Sequence, residues 1–348
     1  MKSAKALLFV CLALCSCGKR GQENAFRAKM SSLDWGDDTC YVYGHKTPDV
    51  DAVCSSLAYA ELMRELGYNC IAKVSSPINN ETVYISSLFG FEPPHEKTFV
   101  APGTRLIATD HEEYSQSVDG ARQARILQII DHHQEGDMAK ADVPFIRREM
   151  IGSTCTIVWE LYKEAKVSPD EQTSKILLAG ILSDTHNLSK ANTVRRDSLA
   201  WQALTSALGL SAEVVAEIQQ GMDDAYSDYS GMSDYEIFIS DYKDYDMSSH
   251  AVGIGCVDWN DAATLDSFIG RMLAVMPEVK EKKDREMVFL LIDHNDASYI
   301  LYCSDASRAV AEQAFGASVR EGACYSPDHL SRKTDVVPVF TDILASGN

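Results

Sequence analysis

Short apolar segments that lead straight into acidic and histidine residues constrain the fold of this chain more than any other feature. Two of them, at 104–109 and 125–130, have the composition of buried strands, and they run into Asp-His-Glu-Glu at 110–113 and Asp-His-His at 131–133. An acid directly after a buried strand costs free energy unless it is paired or coordinated. In open α/β sheets the loops at the carboxyl ends of the strands carry the ligand site. The sequence therefore predicts a parallel sheet with a polar site along one edge.

Strands and helices alternate along most of the chain, as is typical of an α/β protein. In the first part we predict strands at 39–43, 70–74, 104–109 and 125–130, and helices at 53–66, 154–165, 171–182, 199–208 and 212–220. The polar, acidic segment 222–233 is the best candidate for a domain boundary. The following part is predicted to hold strands at 250–257, 287–292 and 299–303 and helices at 265–275 and 306–315. We therefore predict an α/β domain with a parallel sheet at 38–225, a linker at 226–233, and a smaller mixed α/β domain at 234–348.

The first 37 residues are set apart from these domains. Two lysines precede an apolar run at 6–14, which is shorter than the ~20 residues that cross a bilayer and is typical of a signal peptide. The last residue of the run begins the sequence Leu-Cys-Ser-Cys at 14–17. This sequence resembles a bacterial lipobox with Cys17 as the acceptor and Cys15 as the alternative. We therefore expect a signal peptide with lipobox at 1–17, a polar tether at 18–37, and export as a membrane-anchored lipoprotein, periplasmic or on the cell surface. The alternative is an uncleaved signal anchor, or a misassigned start codon and a cytoplasmic protein.

Net charge and cysteine content exclude several classes of function. The chain has 51 acidic and 32 basic residues and a net charge of −19, whereas nucleic acids and anionic membranes bind basic surfaces. We therefore expect no nucleic-acid partner, and contact with a membrane only through a lipid anchor. Seven of the ten cysteines lie beyond residue 17. That number is odd and no Cys-x-x-Cys spacing occurs, so neither a zinc site nor a disulfide framework is indicated.

Two further clusters offer ligands of the kind that divalent cations bind. His45, Asp49 and Asp51 lie between a strand and a helix, and Asp184 follows the apolar stretch at 176–182. Taken alone, either cluster could serve only to cap a helix, since Asp is common at such positions. Together with the first two, we expect four clusters at strand ends that share one edge of the sheet. His and Asp ligands suit Mn²⁺ or Mg²⁺, and several carboxylates suit a pair of ions.

The histidines of the strand-end clusters lead to different expectations. The adjacent side chains of His132 and His133 point in different directions, so one can bind a metal ion while the other meets the substrate. For His111 we expect an exposed histidine, or one whose hydrogen bonds are satisfied within the fold.

Basic residues in the second half and one short polar segment could bind an anion. Arg332 and Lys333 are adjacent cations in an acidic chain, and such a pair can hold phosphate oxygens, although without a nearby acceptor both would be solvated surface residues. Lys243 has acidic neighbours, and alone it would be interpreted as a surface lysine. The segment Gly-Ser-Thr at 152–154 precedes a helix, so its backbone N–H groups could bind an anion, or Ser153 could cap the helix.

Together these motifs resemble the DHH phosphoesterase superfamily and, within it, the manganese-dependent (family II) inorganic pyrophosphatases. The resemblance rests on five segments in the same order: GHKTPDVD at 44–51, TDHEE at 109–113, DHH at 131–133, SDT at 183–185 and SRKTDVVPV at 331–339. It extends from about Tyr41 to Ile343. It implies an N-terminal DHH domain followed by a smaller DHHA2 domain, with the active site in the cleft between them.

The resemblance implies a role for each candidate residue. One metal ion would be held by His45, Asp49 and Asp110. A second ion would be held by Asp51, Asp110, His132 and Asp184, so that Asp110 bridges the two. The phosphates would be held by His133, Lys243, Arg332 and Lys333. We expect Asp131, which has no ligand role, to orient a histidine as a hydrogen-bond acceptor.

The implied reaction is the hydrolysis of inorganic pyrophosphate to two phosphates with two Mn²⁺ ions, for which Mg²⁺ or Co²⁺ could substitute. Two adjacent metal ions lower the pKa of a shared water, and the basic residues would neutralise the phosphates. The expected partner is pyrophosphate or a polyphosphate-like small anion, and a homodimer is compatible with the resemblance. The alternatives are an exopolyphosphatase or another DHH phosphohydrolase, and a phosphate-binding lipoprotein without catalysis.

Three segments depart from the motifs of the family. Glu112 stands where the family usually has Asn, and Thr334-Asp335 stands where it has Lys-Gln. After SDT the family commonly carries Lys followed by Ser-Pro-Thr, whereas this chain has Ser189 and then Lys-Ala-Asn-Thr. These differences lower the positive charge around the implied substrate, so they bear on turnover rate and substrate preference rather than on the metal site.

Overall fold

The computed structural model describes residues 24–295 and 297–346. The predicted signal peptide and lipobox at 1–17, and the first part of the predicted tether, lie outside these residues. Within the described ranges the chain forms two α/β units in succession, each built on a five-stranded sheet.

The sheet of the N-terminal unit is parallel throughout. Its strands lie in the order β2-β1-β3-β4-β5, and every neighbouring pair runs in the same direction. The strands are β1 (Cys40–Tyr43), β2 (Cys70–Lys73), β3 (Arg105–Thr109), β4 (Arg125–Asp131) and β5 (Phe145–Arg148). The chain order reverses between β1 and β3, which is where ligand crevices form in open α/β sheets. The polar residues that follow β1, β3 and β4 therefore meet at one edge.

Helices of the N-terminal unit pack around this sheet. Within residues 24–226 they are α1 (Ala25–Ser31), α2 (Val50–Glu65), α3 (Asn80–Phe89), α4 (Thr154–Ala165), α5 (Glu171–Thr185), α6 (Arg195–Leu208) and α7 (Ala212–Tyr226). In the core, α2, α4 and α5 contact one another, and α2 is buried on nearly all sides. A helix buried all round is a core element rather than a surface one. The ends of these three helices are therefore held firmly beside the polar edge of the sheet.

Gly180 lets α5 approach the neighbouring helices closely. A Cβ atom at this position would lie 2.4 Å from Cys155 Sγ and 2.7 Å from Asp51 Oδ1, so a larger residue would displace one of them. Because α5 also carries Asp184 in its last turn, this close packing brings one predicted ligand toward another.

The helix that carries Asp184 is longer than predicted, and this corrects the position of one cluster. α5 continues to Thr185 instead of stopping at 182, and it ends at His186, whose backbone is left-handed with φ 45°. The SDT cluster at 183–185 therefore lies in the last turn of a helix. The predicted position of the cluster at a strand end is wrong. Gly180 lies inside the helix without ending it, and no Gly or Pro follows it before the helix ends.

Part of the segment predicted as a polar tether is a helix packed on the N-terminal unit. α1 buries Phe26 and Met30 against the core of that unit. Arg27 Nε donates to a backbone carbonyl at the end of α4 at 2.7 Å, which fixes α1 in place. The tether prediction is wrong for these residues, because two apolar side chains in a seven-residue helix are too few to give a periodic pattern.

The C-terminal unit has a mixed sheet in the order β10-β9-β8-β7-β6. β7 and β8 are parallel, and the other neighbouring pairs are antiparallel. The elements are β6 (Tyr242–Met247), β7 (His250–Asp258), β8 (Met287–His294), β9 (Ala297–Tyr302), β10 (Ala323–Ser326), α8 (Asp234–Ile239), α9 (Leu265–Lys282), α10 (Asp305–Phe315) and α11 (Val337–Ser346). A π-type turn at Arg332–Val336 leads directly into α11. The predicted fold class, a parallel α/β domain followed by a smaller mixed α/β domain, is confirmed.

Besides α1, six elements have no counterpart in the sequence prediction, namely α3, β5, α8, β6, β10 and α11. Among them, β6 has the sequence Tyr-Lys-Asp-Tyr-Asp-Met, which contains no apolar run. This strand matters for the site because it carries Lys243. The segment 227–233 between α7 and α8 holds no helix or strand.

Among the described residues, no single helix combines the length and the apolar character needed to cross a bilayer. The α6 and α7 helices meet those two criteria only when taken together, and a bend of 107° separates them.

Candidate metal centre

The six predicted metal ligands converge at the carboxyl ends of β1, β3 and β4 and at the adjoining ends of α2 and α5. They form two groups, and within each group the ligand atoms lie within 4.8 Å of one another. The first group is His45, Asp49 and Asp110, and the second is Asp51, Asp110, His132 and Asp184. Asp110 belongs to both, so the arrangement can hold two cations side by side.

The first group is built around the buried ring of His45. Its Nε2 lies 3.0 Å from Asp49 Oδ2 and 3.4 Å from Asp110 Oδ2. Asp49 also caps α2, since its Oδ1 accepts the backbone N–H of Ala52 at 3.0 Å, so the carboxylate is fixed in place. Burial lowers the pKa of His45, but the two carboxylates outweigh this effect and raise the pKa to about 9. A positive charge at this point, either a proton or a metal ion, is therefore favoured at neutral pH.

The second group contains a histidine that is oriented in the manner of a metal ligand. His132 Nε2 lies 3.2 Å from Asp110 Oδ1 and 3.1 Å from Asp184 Oδ2. Its Nδ1 donates to the carbonyl oxygen of Ile151 at 3.0 Å, which leaves Nε2 facing the carboxylates. Burial and Lys333 lower the pKa of His132, but the adjoining carboxylates outweigh them and raise it to about 10.

The N-terminus of α4 binds the carboxylate of Asp51. Ser153 caps the helix, and its Oγ donates to Asp51 Oδ1 at 2.7 Å. The backbone N–H groups of Thr154 and Cys155 donate to Asp51 Oδ2 at 2.7 Å and to Oδ1 at 3.0 Å. The Gly-Ser-Thr segment is thus a helix cap whose N–H groups hold an anion, and that anion is a carboxylate of the chain itself. Burial and neighbouring carboxylates nevertheless raise the pKa of Asp51 to about 8, so an adjacent cation would strongly favour its charged form.

Asp110 adopts a backbone conformation that few residues tolerate. Its φ is 62°, in the left-handed region that Asp enters more readily than most residues with a side chain. Its N–H donates to the carbonyl oxygen of Ile130 at 2.9 Å, and Thr154 Oγ1 donates to its Oδ1 at 2.9 Å. Burial raises the pKa of Asp110, but hydrogen bonds from His132 and His45 outweigh it and hold the pKa well below its usual range. The turn and these contacts place the carboxylate between the two histidine rings.

The chemistry of the donor set fits Mn²⁺ or Mg²⁺. The two groups together offer four carboxylates and two imidazoles, and no thiolate is among them. Carboxylates suit hard cations, and imidazole extends the choice to transition metals. Two divalent cations would balance the charge of the four carboxylates, which lie close together and of which Asp51 and Asp110 are buried.

His133 lies beside the groups and is oriented by Asp131. His133 Nδ1 lies 2.8 Å from Asp131 Oδ1, which also accepts the backbone N–H of His133 at 3.1 Å. The rings of His132 and His133 are perpendicular, with centroids 4.6 Å apart, so the two side chains face different directions. Asp131 thus accepts a hydrogen bond from a histidine, which is the contact that the sequence predicts for it.

His111 stays out of both ligand groups, in line with the sequence analysis. The ring is buried, and its Nδ1 lies 2.9 Å from the carbonyl oxygen of Thr109. Its Nε2 has no hydrogen-bond partner in the described part of the chain, so the expectation of a fully satisfied histidine holds for one nitrogen only. Burial lowers the pKa of this imidazole to about 4, so the ring is neutral at physiological pH.

Two lysines of the C-terminal unit reach the ligand groups of the N-terminal unit. Lys243 Nζ lies 3.0 Å from His45 Nε2 and 3.4 Å from Asp49 Oδ2, and its side chain is only 10% exposed. Lys333 Nζ lies 2.8 Å from His132 Nε2. Each group is therefore faced by one lysine. The interpretation of Lys243 as a surface lysine, which its acidic neighbours favour when it is taken alone, is wrong.

The guanidinium of Arg332 contacts the C-terminal unit. Its Nη2 donates to Asp241 Oδ1 at 2.6 Å, and its Nη1 donates to the carbonyl oxygens of Asp241 at 2.8 Å and of Ile254 at 3.1 Å. The side chain is 10% exposed. Arg332 is thus a buried cation beside Lys333, and its predicted contact with phosphate stays a prediction.

The departures from the family motifs have local partners. Glu112 forms a two-point ion pair with Arg148, with N···O distances of 2.6 and 2.8 Å. The carboxylate of Asp335 accepts a hydrogen bond from the backbone N–H of Ser331 at 2.8 Å, so it contacts the start of the helical turn in which it lies. Ser189 Oγ donates to the carbonyl oxygen of His186 at 2.7 Å.

Two buried acids near the site were not predicted. Asp197 accepts hydrogen bonds from the N–H of Gly152 at 2.9 Å and from Thr156 Oγ1 at 2.7 Å, so it anchors the start of α4. Glu81, in the first turn of α3, is buried beside Ser183, and burial raises its pKa to about 8. For Asp197 the only sequence signal was its place near the start of a predicted helix, which usually means a solvated acid. For Glu81 there was none, because α3 was not predicted.

The chain matches two family models. The DHH family N-terminal domain matches residues 39–181, and the DHHA2 domain matches residues 220–343. The chain is 32% identical over 305 residues to the manganese-dependent inorganic pyrophosphatase of Methanothrix thermoacetophila, which covers 86% of this chain and 97% of the relative. It is 29% identical over 308 residues to the manganese-dependent inorganic pyrophosphatase of Bacillus subtilis, with 87% and 98% covered.

Among solved structures, the chain is similar to a Methanococcus jannaschii protein assigned to the family II inorganic pyrophosphatases. The TM-score is 0.77 at 27% identity, and the match covers 87% of this chain and 98% of that one. A match of this extent includes both α/β units, so the two-unit architecture is common to the two proteins.

Proposed function

This chain belongs to the manganese-dependent inorganic pyrophosphatases, and we propose that it hydrolyses inorganic pyrophosphate to two phosphate ions at the site formed by the two ligand groups. The single observation that carries the proposal is the shared carboxylate of Asp110, which joins two groups that each fit one divalent cation. Two Mn²⁺ ions, with Mg²⁺ or Co²⁺ as substitutes, are the proposed cofactors. Bound there, they would polarise phosphate oxygens and supply a water of lowered pKa.

The residues of the chain define where the substrate would lie. Lys243 and Lys333 come from the C-terminal unit and face the ligand groups of the N-terminal unit, which supports a substrate site in the cleft between the units. Their ammonium groups would neutralise the phosphate oxygens as charge develops on the leaving phosphate. His133, held by Asp131 at the rim, would contact the same phosphates.

Closure of the two units around the substrate would exclude bulk water and keep the basic groups beside the carboxylates, where Lys243 and Lys333 already lie. The guanidinium of Arg332 lies beside Lys333 but is paired with Asp241, whose carboxylate offsets its charge, so contact of Arg332 with phosphate stays a prediction. The site thus combines a carboxylate side, which holds cations, with a basic side, which holds the anion.

A phosphate-release panel tests the proposal. The full chain is assayed with pyrophosphate, long-chain polyphosphate and ATP, each with Mn²⁺, Mg²⁺ or Co²⁺ and after treatment with a chelator. We expect pyrophosphate with Mn²⁺ to give the fastest release, and we expect the chelator to abolish it until Mn²⁺ is added back. Faster release from polyphosphate would identify an exopolyphosphatase, and binding of phosphate without any hydrolysis would identify a non-catalytic protein.

We also propose that the chain is exported and anchored through a lipid on Cys17. The sequence at 1–17 supports this proposal, and the match to the DHH family begins only at residue 39. In a bacterial host fed a clickable fatty acid, we expect label on the membrane-bound protein, loss of label in Cys17→Ala and retention in Cys15→Ala. The reverse pattern would move the acceptor to Cys15, and unlabelled protein in the cytosol would contradict export. The homodimer stays a prediction.

A further inference from the structure

We infer that Glu112 and Arg148 form a positioning pair that fixes Asp110, the carboxylate shared by the two ligand groups. The inference rests on the proposed function, because it concerns the binding of the two cations. The inference assigns a role to Glu112, which stands where the family usually has Asn.

The pair is a buried, two-point contact. Arg148 Nε donates to Glu112 Oε1 at 2.6 Å, and Arg148 Nη2 donates to Glu112 Oε2 at 2.8 Å. Glu112 is fully buried, whereas the second partner of this arginine, Glu135, is 61% exposed and lies 3.0 Å from Nη1. Two parallel N–H···O bonds to one carboxylate fix orientation as well as distance. The rigid element of the network is therefore the contact between Glu112 and Arg148.

The pair connects the loop after β3, which supplies Asp110, to the end of β5, which lies beside the strand end that supplies His132. Glu112 lies two residues after Asp110 in the loop that follows β3. Arg148 is the last residue of β5, and in the sheet it is the register partner of Asp131, the last residue of β4. His132 follows directly. The ion pair thus holds the loop that carries Asp110 against the strand end that carries His132.

Other contacts of the same loop leave little room for an alternative conformation. The backbone N–H of Met138 donates to the carbonyl oxygen of Glu112 at 2.9 Å. A Cβ atom on Gly136 would lie 2.3 Å from that oxygen, so the segment at 136–138 approaches the loop as closely as glycine permits. A left-handed residue such as Asp110 persists only where its surroundings enforce the conformation. The ion pair and this backbone contact supply that enforcement from two sides.

The charge of Glu112 makes Arg148 indispensable at this place. A fully buried carboxylate needs a partner, and removing the partner of a buried pair is costly because it leaves an uncompensated charge. The loop would then move to expose Glu112, and Asp110 would move with it. Both ligand groups would lose their common member.

Binding of Mn²⁺ to the metal-free protein, measured by titration calorimetry, tests the inference together with kcat, KM and the midpoint of thermal unfolding. The variants are Arg148→Lys, which keeps the charge but not the two-point geometry, Arg148→Met, Glu112→Gln, and the double variant Glu112→Gln/Arg148→Met. Arg147→Met is the control, since Arg147 precedes Arg148 on β5 and pairs instead with Glu164 at 2.9 Å.

We expect Arg148→Met to weaken Mn²⁺ binding by roughly 10- to 100-fold, as is usual when a residue that orients metal ligands is lost. Arg148→Lys should weaken Mn²⁺ binding while its unfolding midpoint stays close to that of the unaltered protein, which a purely structural pair would not do. The double variant should lose no more affinity than Arg148→Met, because the two residues act as a unit. In these variants kcat should fall while KM for pyrophosphate changes little, and the control should behave as the unaltered protein.

Unchanged Mn²⁺ affinity in the Arg148 variants would overturn the inference, and so would losses that multiply in the double variant. Both results are distinct from a failure of the proposed function. If the unaltered protein neither binds Mn²⁺ nor hydrolyses pyrophosphate, the function itself is wrong. If it does both and the variants do as well, only the positioning role is wrong.

Discussion

An Asp110→Asn variant is expected to lose nearly all hydrolysis of pyrophosphate and to bind Mn²⁺ weakly in both ligand groups. The Asp110 carboxylate faces His45 through Oδ2 and His132 through Oδ1, so a single substitution removes negative charge from both. Asn tolerates the left-handed backbone that this position requires, so the loop can keep its course. We expect kcat to fall ~10³-fold or more, which corresponds to ~4 kcal/mol of transition-state stabilisation. Phosphate release and Mn²⁺ titration calorimetry measure the two effects.

Asp142→Asn is the matched control for this prediction. Asp142 is an exposed acid of the same unit that belongs to neither ligand group, so the control removes the same charge from the protein without touching the site. Circular dichroism of both variants establishes that they are folded. If Asp110→Asn retained two tight Mn²⁺ sites, the assignment of a shared ligand would be wrong even if activity were lost.

Of the six candidate ligands, those that follow β1, β3 and β4 could be placed together from the sequence because their convergence depends on local rules, whereas Asp184 lies in the last turn of a helix. β3 and β4 end at Thr109 and Asp131, directly beside the acidic and histidine residues, and strands of one parallel sheet end at the same edge. A strand pattern and the residue after it are enough to place such side chains together. Binding of metal by these six residues stays a prediction, which Mn²⁺ titration would test.

The contacts that hold the ligands could not be predicted, because they join segments far apart in the chain. Asp51 is bound by the N-terminus of α4, about a hundred residues away, and the sequence of that helix cap does not specify which anion it holds. The same is true of the hydrogen bonds between Arg332 and Asp241. Periodicity predicts an element and its buried face, but it gives no distance between two elements.

Residues on weakly patterned elements account for most of the other errors. Lys243 lies on β6, which mixes aromatic and charged residues without an apolar run, so the sequence alone indicates a solvated surface. The structure pairs β6 with β7 on one side and brings this lysine to His45 in the other unit. Burial of Lys243 is therefore a property of the tertiary arrangement rather than of its neighbours in sequence.

Lys243→Met and Lys333→Met are expected to lower activity with little loss of Mn²⁺ binding, which is the opposite division of effects from Asp110→Asn. Each ammonium group lies about 3 Å from a histidine of one ligand group, at 3.0 Å for Lys243 and 2.8 Å for Lys333. From that position it would neutralise a phosphate bound at the proposed cations. Loss of one such group typically costs ~10²- to 10³-fold in rate, so kcat/KM for pyrophosphate should fall by that order in either variant.

Retention of Mn²⁺ is the decisive measurement for these two lysines. A positive side chain beside the ligand groups repels incoming cations, so its removal should leave Mn²⁺ affinity unchanged or increase it. Lys282→Met is the matched control, because Lys282 is a lysine of the same unit that is 56% exposed and pairs with Glu278. The control should keep both activity and metal binding. Weaker Mn²⁺ binding in Lys243→Met or Lys333→Met would show that the lysine supports the ligand groups rather than the substrate, and the division of the site into a carboxylate side and a basic side would then be wrong.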